Sequence, residues 1–220
     1  MAAAGGDLPA ADEPSIAEGQ SMATKYLDLT FTDSVCRAQR QYYGHSGTIA
    51  GAPARDPLSQ AEAAFIAARD SFYLGSIGES GWPYIQHRGG PIGFLRVINE
   101  TTLAFADYKG NRQLLTTGNV SANDRVALLL MDYKNRERLK VLGHARVEDA
   151  RVHPELVAQI ADPKMRPSVE RLVFIDVVSF DWNCPKYITP RYSAEEVEEL
   201  AGSLKARIAS LEAQLQARKT

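Results

Sequence analysis

The chain has 220 residues, of which 45% are hydrophobic, and its 25 Lys+Arg nearly balance its 27 Asp+Glu to give a net charge of −2. This composition fits one compact domain with extensions, or less readily two small domains, and it excludes a general electrostatic attraction to nucleic acid or to an anionic membrane. Any anion site must therefore be a local patch, which suits a small phosphate-bearing molecule better than a polyanion.

The two cysteines, Cys36 and Cys184, are far apart and have no Cys or His neighbours at metal-ligand spacing. We therefore expect a reducing compartment, without a disulfide framework or a zinc site. The N-terminus lacks the basic flank and apolar core of a signal peptide, and no stretch approaches the ~18 apolar residues of a membrane span. These features predict a cytoplasmic protein.

The first part of the chain predicts a tail followed by two helices. Residues 1–20 carry too little apolar surface to offset the entropy of ordering them, which predicts a disordered tail. Apolar residues at helical spacing predict a short helix over Thr32–Tyr43, and a Gly-, Ala- and Pro-containing loop follows over Gly44–Asp56. The capping-box pattern Ser59-Gln-Ala-Glu62 predicts a helix that continues through Ala68.

A series of short apolar segments, linked mainly by turns, gives the middle of the chain its β character. The segments are Phe72–Ile77, Pro83–Arg88, Phe94–Ile98, Thr102–Ala106, Val126–Met131, Leu139–Val147 and Leu172–Val178. Short helices are expected near Asn111–Thr117 and Pro154–Ile160. At least six strands connected mainly by hairpins favour a closed antiparallel barrel over a βαβ sheet.

The C-terminal segment predicts a long amphipathic helix. It opens with a second capping box, Ser193-Ala-Glu-Glu196. The apolar residues Val197, Leu200, Leu204, Ile208, Leu211 and Leu215 then recur at spacings of three and four. Three interpretations stay open: a helix that packs on its own barrel, a helix that pairs in an oligomer, and a solvated lone helix. We divide the chain into a tail (1–20), a barrel domain with N-terminal helices (21–192) and this helix (193–220).

The stretch Phe105–Gly118 has the features of an anion-binding junction. An apolar strand ends there at Asp107-Tyr108-Lys109-Gly110, and a helix-like run opens at Asn111. Glycine allows a close approach of the backbone, a helix start offers free N–H groups, and Lys109 and Arg112 add positive charge. Arg88 repeats this design, since it too ends a strand beside glycines. We expect these three cations to bind a phosphate, and we expect Leu114–Thr117 to serve packing.

Other candidate residues are more ambiguous in the sequence. His87 could polarise a ligand, although a lone histidine on a strand is more often a packed residue. Trp182 could flank a planar ligand or belong to the core. Cys184 has no activating motif and is expected to be a structural thiol. The sequence shows no Ser/His/Asp triad, P-loop or paired-carboxylate pattern.

The segment Pro83–Val147, which contains the GNRQ stretch, resembles the pyridoxamine 5′-phosphate oxidase-like family of flavin-nucleotide-binding split barrels. It looks most like the branch that also has a WNCP segment, here starting at Trp182. The resemblance covers roughly Ala61–Arg191. It implies a mainly β fold with flanking helices, built on a six-stranded antiparallel split β-barrel.

The resemblance also implies a homodimer that binds two FMN molecules at the subunit interface. The strand that lines the flavin matches Tyr84–Arg88, which includes His87, and it ends in a phosphate-binding cation at Arg88. The strand end beside the isoalloxazine matches Ala106 and Asp107, followed by Tyr108 and Lys109. The phosphate-holding segment matches Asn111, Arg112 and Gln113, and Trp182 matches the late tryptophan that reaches the partner's flavin.

Two departures from the family separate this chain from the pyridoxal-forming oxidases. After Trp182 the chain has Asn183-Cys-Pro-Lys-Tyr-Ile-Thr-Pro-Arg191 in place of their arginine-and-histidine substrate motif. The strand Pro83–Arg88 also lacks their leading arginine. We therefore expect an FMN-dependent oxidoreductase with a different small-molecule substrate. The alternatives are a non-catalytic flavin-binding or redox-partner protein, and a site for another phosphate-bearing cofactor such as a deazaflavin.

Overall fold

The computed structural model describes residues 24–47, 49–182 and 185–217. The predicted tail, residues 1–20, lies outside the described residues, as do Asn183 and Cys184. These ranges contain six α-helices: α1 (Thr24–Thr30), α2 (Asp33–Tyr43), α3 (Gln60–Ala67), α4 (Leu115–Ala122), α5 (Pro154–Ile160) and α6 (Ala194–Ala217). Helix α1 was not predicted from the sequence.

In the described part of the chain, seven antiparallel strands form one sheet. They are β1 (Ser71–Ile77), β2 (Pro83–Gly89), β3 (Arg96–Asn99), β4 (Thr102–Tyr108), β5 (Arg125–Asp132), β6 (Glu137–Asp149) and β7 (Val169–Trp182). Their order is β2-β1-β5-β6-β7-β4-β3, so β2 and β3 are the two edges. The predicted antiparallel, mainly β fold is confirmed, but the count of six strands and the closed ladder are corrected to seven strands and an open ladder.

The sheet curls although its ladder is open. Phe72 on β1 and Phe105 on β4 lie far apart in the strand order, yet their ring centroids are 5.4 Å apart. Phe94, from the connection between β2 and β3, stacks on Phe72 at 5.6 Å. These rings belong to the main buried cluster, which also takes side chains from β5, β6, β7 and α3. Side-chain packing therefore brings the β1–β2 end of the sheet against β4.

Strand β4 is buried on both faces, which explains its continuous apolar sequence. Leu103 and Phe105 face the main cluster. Ala104 and Ala106 alternate with them and pack in a second cluster with Ile160 at the end of α5 and with side chains of β7. A strand enclosed in this way gives a rigid support to the residues at its end, Asp107 and Tyr108.

Both predicted capping boxes are present. Ser59 accepts a hydrogen bond from the Ala61 N–H at 3.1 Å, and its own N–H donates to Glu62 at 2.8 Å. At α6 the Ser193 N–H donates to Glu196 at 2.9 Å, and the Glu196 N–H donates to Ser193 Oγ at 3.2 Å. These helix starts depend only on local hydrogen bonds, which is why a four-residue pattern predicts them.

Buried Glu62 also joins α3 to the end of β7. The Trp182 indole N–H donates to Glu62 Oε1 at 2.7 Å, and the Trp182 ring meets Phe65 edge-on at 4.8 Å. Burial raises the pKa of Glu62, but the hydrogen bonds from Ser59 and Trp182 outweigh burial and hold the pKa below its ordinary value of 4.5. The ionised carboxylate is therefore part of the folded structure.

Replacing Glu62 by glutamine is expected to lower the free energy of unfolding at pH 7 by about 1.5–3 kcal/mol, because hydrogen bonds to a buried charged group are lost. Since the folded-state pKa is depressed, this stabilisation is complete above about pH 4.5 and is lost as the pH falls through the folded-state pKa. Urea unfolding at several pH values should thus show that the difference in the free energy of unfolding between wild type and Glu62→Gln becomes smaller in acid. Glu79→Gln, at an exposed turn residue, is the control and should show no difference at any pH.

Two local predictions are corrected by the structure. The helix expected from Asn111 begins four residues later, at Leu115, because Arg112 and Leu114 adopt left-handed backbone conformations with φ of 60° and 56°. The strand expected from Phe94 begins at Arg96, because Phe94 lies in a turn and its ring fills the core between β1 and β4. In both places a tertiary requirement overrides the local pattern.

Candidate functional site

A buried ion-pair network joins three strands at the point where the sheet curls. Arg88 on β2 donates to Asp107 Oδ1 at 2.6 Å, and Arg171 on β7 donates from Nε to Asp107 Oδ2 at 2.8 Å. Asp107 and Arg171 are direct cross-strand partners, whereas β2 and β4 share no ladder. The carboxylate of Asp107 therefore links the sheet edge β2 to β4.

Strand alternation decides which β2 side chains join this network. Tyr84, Gln86 and Arg88 lie on the half-buried inner face of β2, whereas Ile85 and His87 lie on the exposed outer face. The Tyr84 hydroxyl hydrogen-bonds the Gln86 side chain, whose amide in turn donates to a backbone carbonyl. The inner face of β2 thus presents an ordered row of polar groups.

These residues form one wall of a cavity of about 210 Å³. The other walls are the end of β4 with Asp107 and Tyr108, the residues 110–117 that lead into α4, and Arg171. Three arginines and a single carboxylate line it, so the lining carries a net positive charge. The polar wall, with few apolar groups, suits an anion better than an apolar ligand.

One buried nitrogen in the wall has no partner. Arg88 Nε lacks a hydrogen bond among the described residues, although the same guanidinium is held by Asp107 through Nη1. A buried unpaired donor is uncommon in folded proteins, and in the wall of a cavity it can donate to an acceptor from outside the chain. Arg88 is therefore fixed by one side of its guanidinium and keeps a donor for a ligand.

The segment between β4 and α4 follows an unusual path. Arg112 and Leu114 are both left-handed, a conformation that side chains other than Asn and Asp rarely adopt. Asn111 stabilises the turn, because its Oδ1 accepts from the Gln113 N–H and its amide donates to Gln113 Oε1, both at 3.2 Å. Helix α4 then begins without a side-chain cap. Its first N–H groups therefore remain available at the cavity.

Ion pairing separates Arg112 from the other two arginines of the wall. Arg112 is exposed and makes no ion pair with any residue of the described ranges, whereas Arg88 and Arg171 share an ion pair with Asp107 and Arg171 also pairs with Glu170. Tyr108 also lines the cavity, but its side chain packs against the second cluster, where burial and the charge of Asp162 raise the pKa of the phenol and keep it neutral. Arg112 is thus the cation of this wall that keeps its full charge for a ligand.

Six of the ten site residues predicted from the sequence lie together at this cavity: Arg88, Asp107, Tyr108, Asn111, Arg112 and Gln113. They come from two strands and a loop that are adjacent only in the folded chain. Whether they bind a cofactor stays a prediction.

The other four lie elsewhere in the single chain. His87 points outward and contacts the Tyr73 ring at 5.6 Å. Lys109 is exposed outside the cavity wall, with its N–H bonded to Ser168. The Ala106 side chain packs in the second cluster on the opposite face of β4, and Trp182 packs beside α3. The positions of His87 and Ala106 follow from the alternation of side chains along a strand. Each directly precedes a residue that lines the cavity, and its own side chain therefore lies on the opposite face.

Sequence reasoning missed two parts of the wall. Arg171 was not proposed, because it lies within an apolar strand and comes 64 residues after the carboxylate that it contacts. The segment Leu114–Thr117 was expected to serve packing, but all four residues line the cavity, and only Thr116 and Thr117 carry hydroxyls there. Arg171 is the only cation in the strand segment Val169–Val178, which also contains Glu170 and Asp176, and this was the one available signal for it.

Two searches of the described ranges were negative. They contain no group of three or more His, Cys, Asp or Glu side chains that could hold a metal ion. In the same ranges no helix combines the length and the apolar character needed to cross a membrane.

Comparison with solved structures finds relatives at low sequence identity. A candidate pyridoxamine 5′-phosphate oxidase from Lactobacillus delbrueckii is 17% identical, with 57% of this chain and 93% of that chain covered and a TM-score of 0.45. A conserved hypothetical protein from Mycobacterium tuberculosis is 17% identical, with coverage of 66% and 97% and a TM-score of 0.44. An FMN-binding protein from Syntrophomonas wolfei is 12% identical, with coverage of 56% and 83% and a TM-score of 0.42.

The family comparison is more specific. No curated protein matches the chain. The family model of pyridoxamine 5′-phosphate oxidase, in contrast, matches residues 58–175, which is more than half of the chain. The matched region runs from just before α3 into β7 and contains every residue of the cavity wall. The chain therefore belongs to the pyridoxamine 5′-phosphate oxidase-like split-barrel family.

Proposed function

We propose that the protein is an FMN-dependent oxidoreductase that acts as a homodimer and binds the flavin at the cavity between β2, β4 and α4. The observation that carries the proposal is the buried, unpaired Arg88 Nε in a wall that also contains Arg112 and Arg171. A phosphate can accept from a guanidinium and from free N–H groups at a helix start. The chemistry of this wall thus fits the phosphate end of FMN.

The size of the cavity supports a site that is shared between two subunits. At about 210 Å³ it is smaller than the roughly 300–1,000 Å³ typical of pockets that enclose a small molecule. The outer face of the β1–β2 hairpin beside it exposes Tyr73, Ile77, Trp82 and Ile85. An exposed apolar patch of this kind is a common feature of subunit interfaces. A second copy that covers this patch and extends past the edge strand β2 would also close the cavity on the inner face.

The roles of the residues follow from their charges. Arg112 and the start of α4 would neutralise the phosphate, and Arg88 would donate through its unpaired Nε. Asp107 holds Arg88 and Arg171 in place, and the polar row on β2 orients the ligand's hydrogen-bonding edge. Bound flavin supplies the electron or hydride transfer, and the protein contributes binding, orientation and exclusion of water. Trp182 is proposed to contact the flavin of the other subunit.

The substrate of the proposed oxidoreductase is a small molecule other than pyridoxamine phosphate. The segment Asn183–Arg191 lacks the substrate motif that the resemblance to the pyridoxal-forming oxidases would require. Arg88 and Arg112 are the groups assigned to the cofactor's phosphate. We assign no residue as a catalytic acid or base.

The proposal predicts that the protein binds FMN with 1:1 stoichiometry per chain. The measurement is the visible spectrum of the purified protein, mass identification of any released cofactor, and titration of the cofactor-free protein with FMN. Reduction of the bound flavin by NADH or NADPH, followed by transfer to an acceptor, supports the enzyme. Tight binding without such reduction supports the non-catalytic flavin-binding alternative, and failure to bind added FMN contradicts both.

A further inference from the structure

Leu114 is an unfavourable residue type for its position at the start of helix α4. It is the N-cap residue, and its carbonyl accepts the first helical hydrogen bond, from the Gly118 N–H at 2.8 Å. Leucine is among the poorest N-cap residues, because its side chain has no oxygen to accept from the free N–H groups of the helix. Its backbone is also left-handed, with φ of 56° and ψ of 23°, which crowds the Cβ atom against the following carbonyl. Asparagine or glycine would suit both requirements.

Packing within the chain does not compensate for these two costs. Leu114 is 47% exposed, and Leu115, which follows it, is 45% exposed. Among the described residues that line the cavity, these two carry the only wholly apolar side chains. A residue that breaks local preferences without a gain inside its own chain is typical of a functional site. The gain from Leu114 is therefore expected in the complex with a ligand.

The cavity offers two kinds of surface to one ligand. Arg88 and Arg112 provide donors for an anion, and Leu114 and Leu115 provide an apolar surface in the same wall. Phosphate alone would use the donors and leave the leucines in water. FMN has the matching combination, because a carbon chain joins its phosphate to a planar ring system with an apolar benzenoid edge.

We infer that Leu114 packs against the apolar part of the flavin ring, and that its unfavourable backbone conformation is kept for this contact. The inference rests on the proposed function, since it requires flavin at this cavity. The Asn111 side chain, through its two hydrogen bonds to Gln113, stabilises the turn that precedes Leu114. The side chain is thus held at the wall before the ligand binds, so that binding requires little further ordering of the loop.

Two variants separate the contact from the backbone strain. Leu114→Ala removes most of the side chain but keeps a Cβ atom in the left-handed region. We expect it to lower flavin affinity about 3- to 10-fold and to leave the thermal unfolding midpoint of the cofactor-free protein unchanged. Leu114→Gly removes the strain as well, so the same loss of affinity should accompany a midpoint about 2–4 °C higher. Titration with FMN and with riboflavin should show equal losses, because both ligands contain the ring.

Arg136→Gly is the matched control for the strain. Arg136 has nearly the same φ, 59°, but it lies in the turn between β5 and β6, outside the cavity wall. This variant should raise the unfolding midpoint to a similar extent and change flavin affinity less than twofold. Equal midpoints for Leu114→Ala and Leu114→Gly would overturn the claim that the leucine is kept at a cost in stability.

Three binding results would overturn the contact itself. The first is a flavin affinity within twofold of wild type in both Leu114 variants. The second is a loss confined to FMN, which would place Leu114 at the phosphate. The third is weaker self-association of Leu114→Ala in sedimentation with unchanged flavin affinity, which would mean that a second copy covers the leucine. In all three the wild type still binds flavin, whereas failure of the proposed function shows as no flavin binding by the wild type.

Discussion

Replacing Asp107 by alanine is expected to lower the free energy of unfolding by about 3–5 kcal/mol, because it leaves two guanidiniums in the interior without their shared counter-charge. The Asp107 side chain is only 10% exposed, and those of Arg88 and Arg171 are each 19% exposed. Water can therefore replace little of the lost interaction. Urea unfolding followed by tryptophan fluorescence and circular dichroism measures the change.

A matched control distinguishes this network from an ordinary surface ion pair. Asp181 accepts from Lys140 at 3.1 Å across neighbouring strands, but its side chain is 28% exposed and that of Lys140 is 33% exposed. Asp181→Ala should cost at most about 1 kcal/mol, the typical value for a solvated pair. If Asp107→Ala costs no more than Asp181→Ala, the Asp107 network does not hold β2 against β4.

The second large effect concerns ligand binding. Arg112→Ala is expected to weaken FMN binding by about 1.5–3 kcal/mol, or roughly 10- to 150-fold, through the loss of a charged hydrogen bond to the phosphate. Riboflavin, which lacks the phosphate, should bind equally well to both proteins. Isothermal titration of each ligand measures the difference. The expectation follows from the position of Arg112 in the cavity wall without an ion-pair partner in the described part of the chain.

Lys109 provides the matched control for Arg112, because it is a cation three residues away that lies outside the cavity wall. Lys109→Ala should change FMN affinity less than twofold. Equal losses for FMN and riboflavin in Arg112→Ala would mean that Arg112 contacts the ring and not the phosphate. A larger loss for Lys109→Ala than for Arg112→Ala would mean that the phosphate lies on the other side of the loop.

The elements that the sequence predicted well are those with local causes. The capping boxes at Ser59 and Ser193 need only hydrogen bonds within four residues. The strands were predicted because an alternating run indicates a strand that is buried on one face, and a continuous apolar run indicates a strand that is buried on both faces. The same local logic predicts an anion site at Asn111–Gln113, since its glycine neighbour and its cations are adjacent in sequence.

The predictions that were wrong concern features that depend on contacts between segments distant in the sequence. The run from Asn111 has helical composition, but the left-handed Arg112 and Leu114 delay the helix to Leu115. His87 and Arg88 are equally polar neighbours, and only the burial of one face of β2 decides that Arg88 enters the cavity and His87 does not.

The sequence by itself determined the capped starts of α3 and α6, the order of the strands along the chain, the family and the local cation-rich junction, because these depend on neighbouring residues or on a resemblance carried by motifs. Only the tertiary structure decided that Arg171 joins Arg88 at Asp107, and that β2 lies against β4 without a shared ladder. Ion pairs between residues 19 and 64 positions apart leave no periodic signal in a sequence. They arise only once the sheet has curled and brought its buried faces together.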